Sequence, residues 1–152
     1  MNDERKLFKL LGEVKQLARE YRELTGRPLG VTGEVAEYEA VRLLGLELAA
    51  VRQAGYDAIR NTAGGRQRLQ IKGRCILPGS KTGQRVGGIK LDKAWDSVLL
   101  VLLDERFDAT AIYEADRPAV EAALLAPGSK SRNERGALAV SKFRSIGRVI
   151  WP

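Results

Sequence analysis

Gly55-Tyr56-Asp57-Ala58-Ile59-Arg60 is followed by Asn61-Thr62-Ala63-Gly64-Gly65 and then by Arg66-Gln67-Arg68-Leu69-Gln70-Ile71-Lys72-Gly73-Arg74. Two extended runs, 55–60 and 66–74, flank a turn rich in glycine, which is the pattern of a β-hairpin. With the turn centred near Gly64, position 57 pairs with position 71 or close to it. Alternate side chains of a strand share a face. Gln70 and Lys72 therefore project together, Ile71 points to the other side, and Asp57 can lie beside both. An acid, an amide oxygen and an ammonium group then converge within a basic stretch.

That set suits phosphodiester chemistry. A phosphodiester is an anion that repels hydroxide, and a divalent cation bridging a carboxylate and the phosphate supplies an activated water. Asp57 is the expected anchor for Mg²⁺ or Mn²⁺, since Mg²⁺ keeps most of its waters and takes few protein ligands. Gln70 offers its side-chain oxygen and Ile71 its backbone carbonyl. Lys72 can hold the attacking water or stabilise charge on the phosphate.

Before the hairpin, Thr32 is placed to cap a helix over 33–45 that ends at Gly45. Ala36, Glu37, Ala40, Val41 and Leu44 fall on one face of it. An acid in an apolar stripe is costly unless it is paired or bound to a metal. Glu37 is thus the first candidate for a further metal or water ligand and Glu34 the second, while Glu39 points away. A Glu37–arginine pair at the core edge is the structural alternative. Further upstream, Leu7, Leu10, Val14, Leu17, Tyr21 and Leu24 recur at three- and four-residue steps, with Leu11 and Ala18 widening the stripe, predicting an amphipathic helix over 4–25. Such a helix docks on its own domain or, because the spacing is heptad-like, on a second copy.

After a short strand at about 48–52 and the hairpin comes a glycine-rich loop, 75–88. Ser97-Val98-Leu99-Leu100-Val101-Leu102-Leu103 reads as a buried central strand. Another strand follows at 110–114. Asp116 then caps a helix with Pro118 in its first turn, running to about Leu125. The tail holds a polar basic loop, the run Ala137-Leu138-Ala139-Val140, and a final strand Arg148-Val149-Ile150-Trp151. The 152 residues fit one domain: an N-terminal helix over 1–28, a core over 30–126 and a basic extension over 127–152.

Composition excludes much. There is no histidine, which removes serine–histidine and cysteine–histidine hydrolases and histidine-ligated metal enzymes. Cys75 is the only cysteine, so there is neither an internal disulfide nor a cysteine zinc site. The start Met1-Asn2-Asp3-Glu4-Arg5-Lys6 lacks the apolar region of a signal peptide, and no apolar run is long enough for a membrane span. The expected compartment is the cytoplasm. The formal charge is +7 and is segregated. Nine basic side chains against the single acid Asp92 lie between Ala58 and Lys93, and six against Glu134 lie beyond Pro127. Such segregation is the footprint of a phosphate-binding surface.

Glu37, Asp57, Gln70 and Lys72, in this order and on these elements, resemble the PD-(D/E)xK, or restriction-endonuclease-like, superfamily. The likeness covers roughly residues 30–115 and includes Gly33-x-x-x-Glu37 and Trp95-Asp96 before the buried strand. It implies an α/β fold with an αβββαβ core, a mixed sheet flanked by helices, Mg²⁺-dependent cleavage of DNA, and frequent homodimers. Two positions depart from the pattern: Tyr56 stands where the proline would be, and Gln70 where the acid would be. Some active members of the superfamily carry Gln there, and some relatives have lost catalysis. Two readings follow: an endonuclease acting on duplex or branched DNA, or a catalytically inactive nucleic-acid-binding module on the same fold. DNA and RNA both stay open as partners. The basic residues expected to contact phosphates are Arg66, Arg68, Arg74, Lys81, Arg85, Lys90, Lys130, Arg132 and Arg135. A protein-binding domain without nucleic acid is the third reading.

Overall fold

A computed structural model describes residues 2–50, 53–79, 83–127 and 137–152. The helices are α1 (Asp3–Thr25), α2 (Thr32–Leu44), α3 (Arg117–Leu125) and α4 (Val140–Ile146). The strands are β1 (Glu47–Leu48), β2 (Ala58–Thr62), β3 (Gly65–Cys75), β4 (Ser97–Leu103), β5 (Ala109–Asp116) and β6 (Arg148–Trp151). They form one six-stranded sheet in the order β1-β2-β3-β4-β5-β6, with β3 and β4 parallel and the other neighbours antiparallel. The protein is therefore an α/β fold with a mixed sheet flanked by helices. Among the described residues no helix is long and apolar enough to cross a membrane.

The unbroken apolar run of β4 follows from its place. All seven of its residues are buried. Leu99, Val101 and Leu103 enter a core shared with Val35, Ala36, Ala40 and Val41 of α2. Val98, Leu100 and Leu102 enter a second core with Trp95, Val120 and Leu124 of α3, and Val140 and Phe143 of α4. A strand covered on both faces has no polar side to alternate with.

Several boundaries differ from the sequence reading. Val31, not Thr32, is the N-cap of α2, and no side chain caps that end. Of the expected strand at 48–52, Glu47–Leu48 is the part formed among the described residues, 51–52 lying outside them, and the one at 55–60 begins at Ala58, the backbone pairing ending with the Asp57 N–H on the Leu69 carbonyl. Ala58 pairs with Leu69, a register that sets Asp57 beside Gln70 and not beside Ile71. The loop is the two residues Ala63-Gly64, which shifts the register by one residue from the one expected. Val140 begins a helix that the tail's short apolar pattern did not announce. The 76–96 connection between β3 and β4 contains no helix among its described residues.

Glu39 does not point away. It is 1% exposed and joins α1 to α2. Lys15 Nζ lies 2.8 Å from its Oε1, Arg42 Nη2 3.0 Å from its Oε2, and the Ala109 N–H donates to Oε2. A buried acid survives by such pairing. This network orients α1, which docks through Phe8, Leu11, Lys15, Ala18 and Arg22. Of the apolar stripe expected to dock, Leu11 and Ala18 are buried and Val14 packs against the core, whereas Leu10, Leu17, Tyr21 and Leu24 are exposed.

α2 crosses β3 at Gly73, where an added Cβ would stand 2.5 Å from Ala36 Cβ and 3.1 Å from the Thr32 carbonyl oxygen. Hydrogen at this position lets helix and strand approach. Gly73→Ala should cost about 2–3 kcal/mol of stability by overpacking, read as a lower urea midpoint with unchanged slope. Ala36→Gly in the same chain should restore part of the loss.

Candidate functional site

β3 runs eleven residues and β2 five. Past Leu69 the edge of β3 facing β2 therefore has no strand beside it. The Asp57 N–H donates to the Leu69 carbonyl at 2.8 Å, and the chain then leaves the sheet. The Ile71 N–H, next along that edge, donates to Asp57 Oδ2 at 2.7 Å. A carboxylate thus replaces a ladder partner. In an extended strand the N–H and C=O of one residue face the same side, so Ile71 also presents its carbonyl to this edge. Its side chain is buried in the core beneath α2.

Gln70 and Lys72 alternate with Ile71 and share the opposite face, as the spacing predicts. Gln70 Nε2 donates to the Gly55 carbonyl at 3.3 Å. That bond fixes which end of the amide is nitrogen and leaves Oε1 as a buried oxygen without a hydrogen-bond partner. Among the described residues only Gln84 Oε1 shares that condition. Gln84 lies in the segment after β3, where its Nε2 donates to the Cys75 carbonyl. An orphaned buried acceptor beside a carboxylate is a place for a cation or a water.

Lys72 and Arg74 run under Gly87, where an added Cβ would lie 3.2 Å from Arg74 Nη2 and 4.0 Å from Lys72 Nζ. A larger residue here would press on the Arg74 guanidinium, and only lightly on the lysine. Arg74 also donates to the Arg85 and Gly73 carbonyls, tying the loop to β3. The sequence reading gave no part to Gly55 or Gly87, and their glycine identity was the only available signal. It also missed Arg117, which stacks on Trp95 at 4.5 Å and donates to the Leu91, Lys93 and Trp95 carbonyls, bracing the approach to β4.

Glu37, on α2, is half-buried and electrostatically coupled to Asp57 and Lys72. Burial, then the charges of Asp57 and Glu34, raise its pKa from 4.5 to about 7, with Lys72 opposing. Burial raises Asp57 too, against the Ile71 hydrogen bond and Lys72. Burial lowers Lys72; Asp57 and Glu37 oppose that shift, while Arg74 adds to it. Two crowded, partly desolvated acids beside one lysine constitute a site short of positive charge. Glu37 has no ion pair with arginine among the described residues.

The expected phosphate ligands divide. Lys90 is exposed. Arg66 pairs with Glu47 at 3.4 Å and Arg68 with Asp96 at 3.1 Å, both at the surface. Arg74 and Arg85 correct the expectation: their guanidinium groups hold backbone carbonyls, Arg85 that of Ala137. Lys81, Lys130, Arg132 and Arg135 lie outside the described residues. Trp95 is 1% exposed and belongs to the core. The sequence matches no protein-family model and no curated protein.

Because Glu37 ionises reluctantly in the fold, its neutral form is the one the folded state favours. Its contribution to stability is present below pH 4.5 and is lost as pH rises through about 7. In metal-free protein, Glu37→Gln should leave stability at pH 4 unchanged and raise it at pH 8 by about 1–2 kcal/mol, a figure reduced for solvent screening. Urea denaturation at the two pH values, with chelator present, measures the difference.

Proposed function

We propose that the chain is a metal-dependent endonuclease of the PD-(D/E)xK kind, hydrolysing phosphodiester bonds of duplex or branched DNA. The observation that carries this reading is the assembly at the free edge of β3. Asp57 and Lys72 come from the two arms of one hairpin, Glu37 joins them from α2, and Gln70 adds a partnerless oxygen. The fold reading follows the same line. α2, β1, β2, β3 and β4 follow one another as in the αβββαβ order, except that the described residues of the 76–96 connection form no helix where that order has its second one.

The donors fit a small, hard cation: Asp57, Gln70 Oε1, the Ile71 carbonyl and Glu37 are all oxygens. When bound, Mg²⁺ or Mn²⁺ neutralises phosphate charge and lowers the pKa of a coordinated water. The Ile71 N–H fixes the Asp57 carboxylate, so its orientation is set before any ligand arrives. Lys72 sits where its ammonium can hold a phosphate oxygen or orient water. Its proximity to Asp57 and Glu37 preserves part of the charge that burial removes. Lys90 supplies exposed positive charge for the DNA backbone, and Arg68 joins it only by leaving Asp96.

A second reading, a nucleic-acid-binding module without catalysis, is favoured by two facts. Gln70 stands where the pattern has an acid, and the described residues hold no cluster of three His, Cys, Asp or Glu side chains suited to a metal.

With Mg²⁺ or Mn²⁺ the protein should nick plasmid DNA or a four-way junction, and Asp57→Ala or Lys72→Ala should slow cleavage by about 100-fold or more. Gel shifts at low salt should show DNA binding by both variants. Binding without cleavage by the parent protein under any metal would establish the second reading. Thermal unfolding gives an independent readout: Mn²⁺ should raise Tm of the parent and not of Asp57→Ala.

A further inference from the structure

α1 carries a surface that its own domain leaves bare. Leu10 is 47% exposed, Leu17 58%, Tyr21 40% and Leu24 87%. With half-buried Leu7 and Val14 they form a stripe at steps of three and four residues along about two and a half heptads. Helices usually turn such a stripe inward. Here the Glu39 network holds α1 by an adjacent face, so Val14 reaches the core while Leu10, Leu17, Tyr21 and Leu24 stay outside. An apolar row this long on a charged helix marks an interaction surface.

The charges beside the stripe identify what covers it. Lys6, Lys9, Glu13, Gln16, Glu20 and Glu23 are all exposed on its free flank. Basic residues occupy the N-terminal half and acids the C-terminal half. Among the described residues no ion pair uses Lys6, Lys9, Glu13 or Glu23. A second α1 laid antiparallel sets Leu7 against Leu24, Leu10 against Tyr21 and Val14 against Leu17, so that each apolar residue has a counterpart. The same register brings Lys6 and Lys9 of each helix within about two residues, ~3 Å along the axis, of Glu20 or Glu23 of the other. It also sets Glu13 near the second helix's Glu20, one unfavourable contact against these. A parallel pair would turn each free flank toward the docked side of the other helix and leave these charges without the opposite charges found here.

We propose that α1 is the seat of a second copy of this chain, joined as a two-fold antiparallel helix pair. The interface is self-complementary, as a two-fold axis requires. It is independent of the nuclease reading, since none of Asp57, Gln70, Lys72 and Glu37 lies on α1.

The full chain should run on size exclusion with light scattering as a dimer at micromolar concentration. Leu17→Glu and Leu24→Glu, at positions already exposed, should leave circular dichroism and Tm of the domain intact while weakening association about 100-fold or more. Orientation is read by mixing two single-cysteine chains in a Cys75→Ala background, Leu7→Cys and Leu24→Cys. Oxidation should give mostly the mixed disulfide. A monomer at every concentration tested, a dimer indifferent to both glutamates, or preferential like-with-like disulfides would each overturn the proposal. Membrane or nucleic-acid binding lost in the glutamate variants of a strictly monomeric protein would assign the stripe to that other occupant.

Discussion

The mismatch in length between β2 and β3 organises this molecule. A sheet edge with unpaired N–H groups must find acceptors, and the first open position on β3 takes a side-chain carboxylate. Folding thereby aims Asp57. The cost of holding a desolvated acid there is partly offset by the Ile71 hydrogen bond and by Lys72, and these contacts are what make the edge chemically distinct. Gly73 contributes from the other face, letting α2 sit close enough for Glu37 to join.

Much of this was legible in the sequence, and for local reasons. The hairpin follows from a glycine turn between extended runs. The buried β4 follows from seven consecutive apolar or small residues, and α3 from Asp116, Pro118 and a three-turn pattern, with the Asp116 side chain accepting from the Ala119 N–H. Period-two alternation placed Gln70 and Lys72 together, and an acid in an apolar stripe singled out Glu37. These signals depend on neighbours within about a dozen residues.

What escaped the sequence depends on distant partners. Glu39 and Glu37 are two residues apart on one helix, and only the position of Lys15 and Ala109 decides that Glu39 is the fully buried one. The leucine stripe of α1 has the stronger apolar pattern, yet a salt-bridge network on a neighbouring face determines how the helix lies. Arginines 74 and 85 count toward basic charge in a sequence, whereas in the fold they brace carbonyls. Net charge therefore overstates the cations left free to meet a phosphate.

The hairpin serves both as scaffold and as the carrier of the acid, so its turn cannot drift as surface loops do. One residue gained or lost at Ala63-Gly64 would slide β2 along β3 by a step and carry Asp57 to the wrong side of the sheet. The connection from β3 to β4, held at its ends by the Ile76 N–H on the Leu103 carbonyl and the Asp96 N–H on the Arg68 carbonyl, sets no hairpin register and can change length at smaller cost. Among diverged copies of this gene, indels should collect in the second and avoid the first.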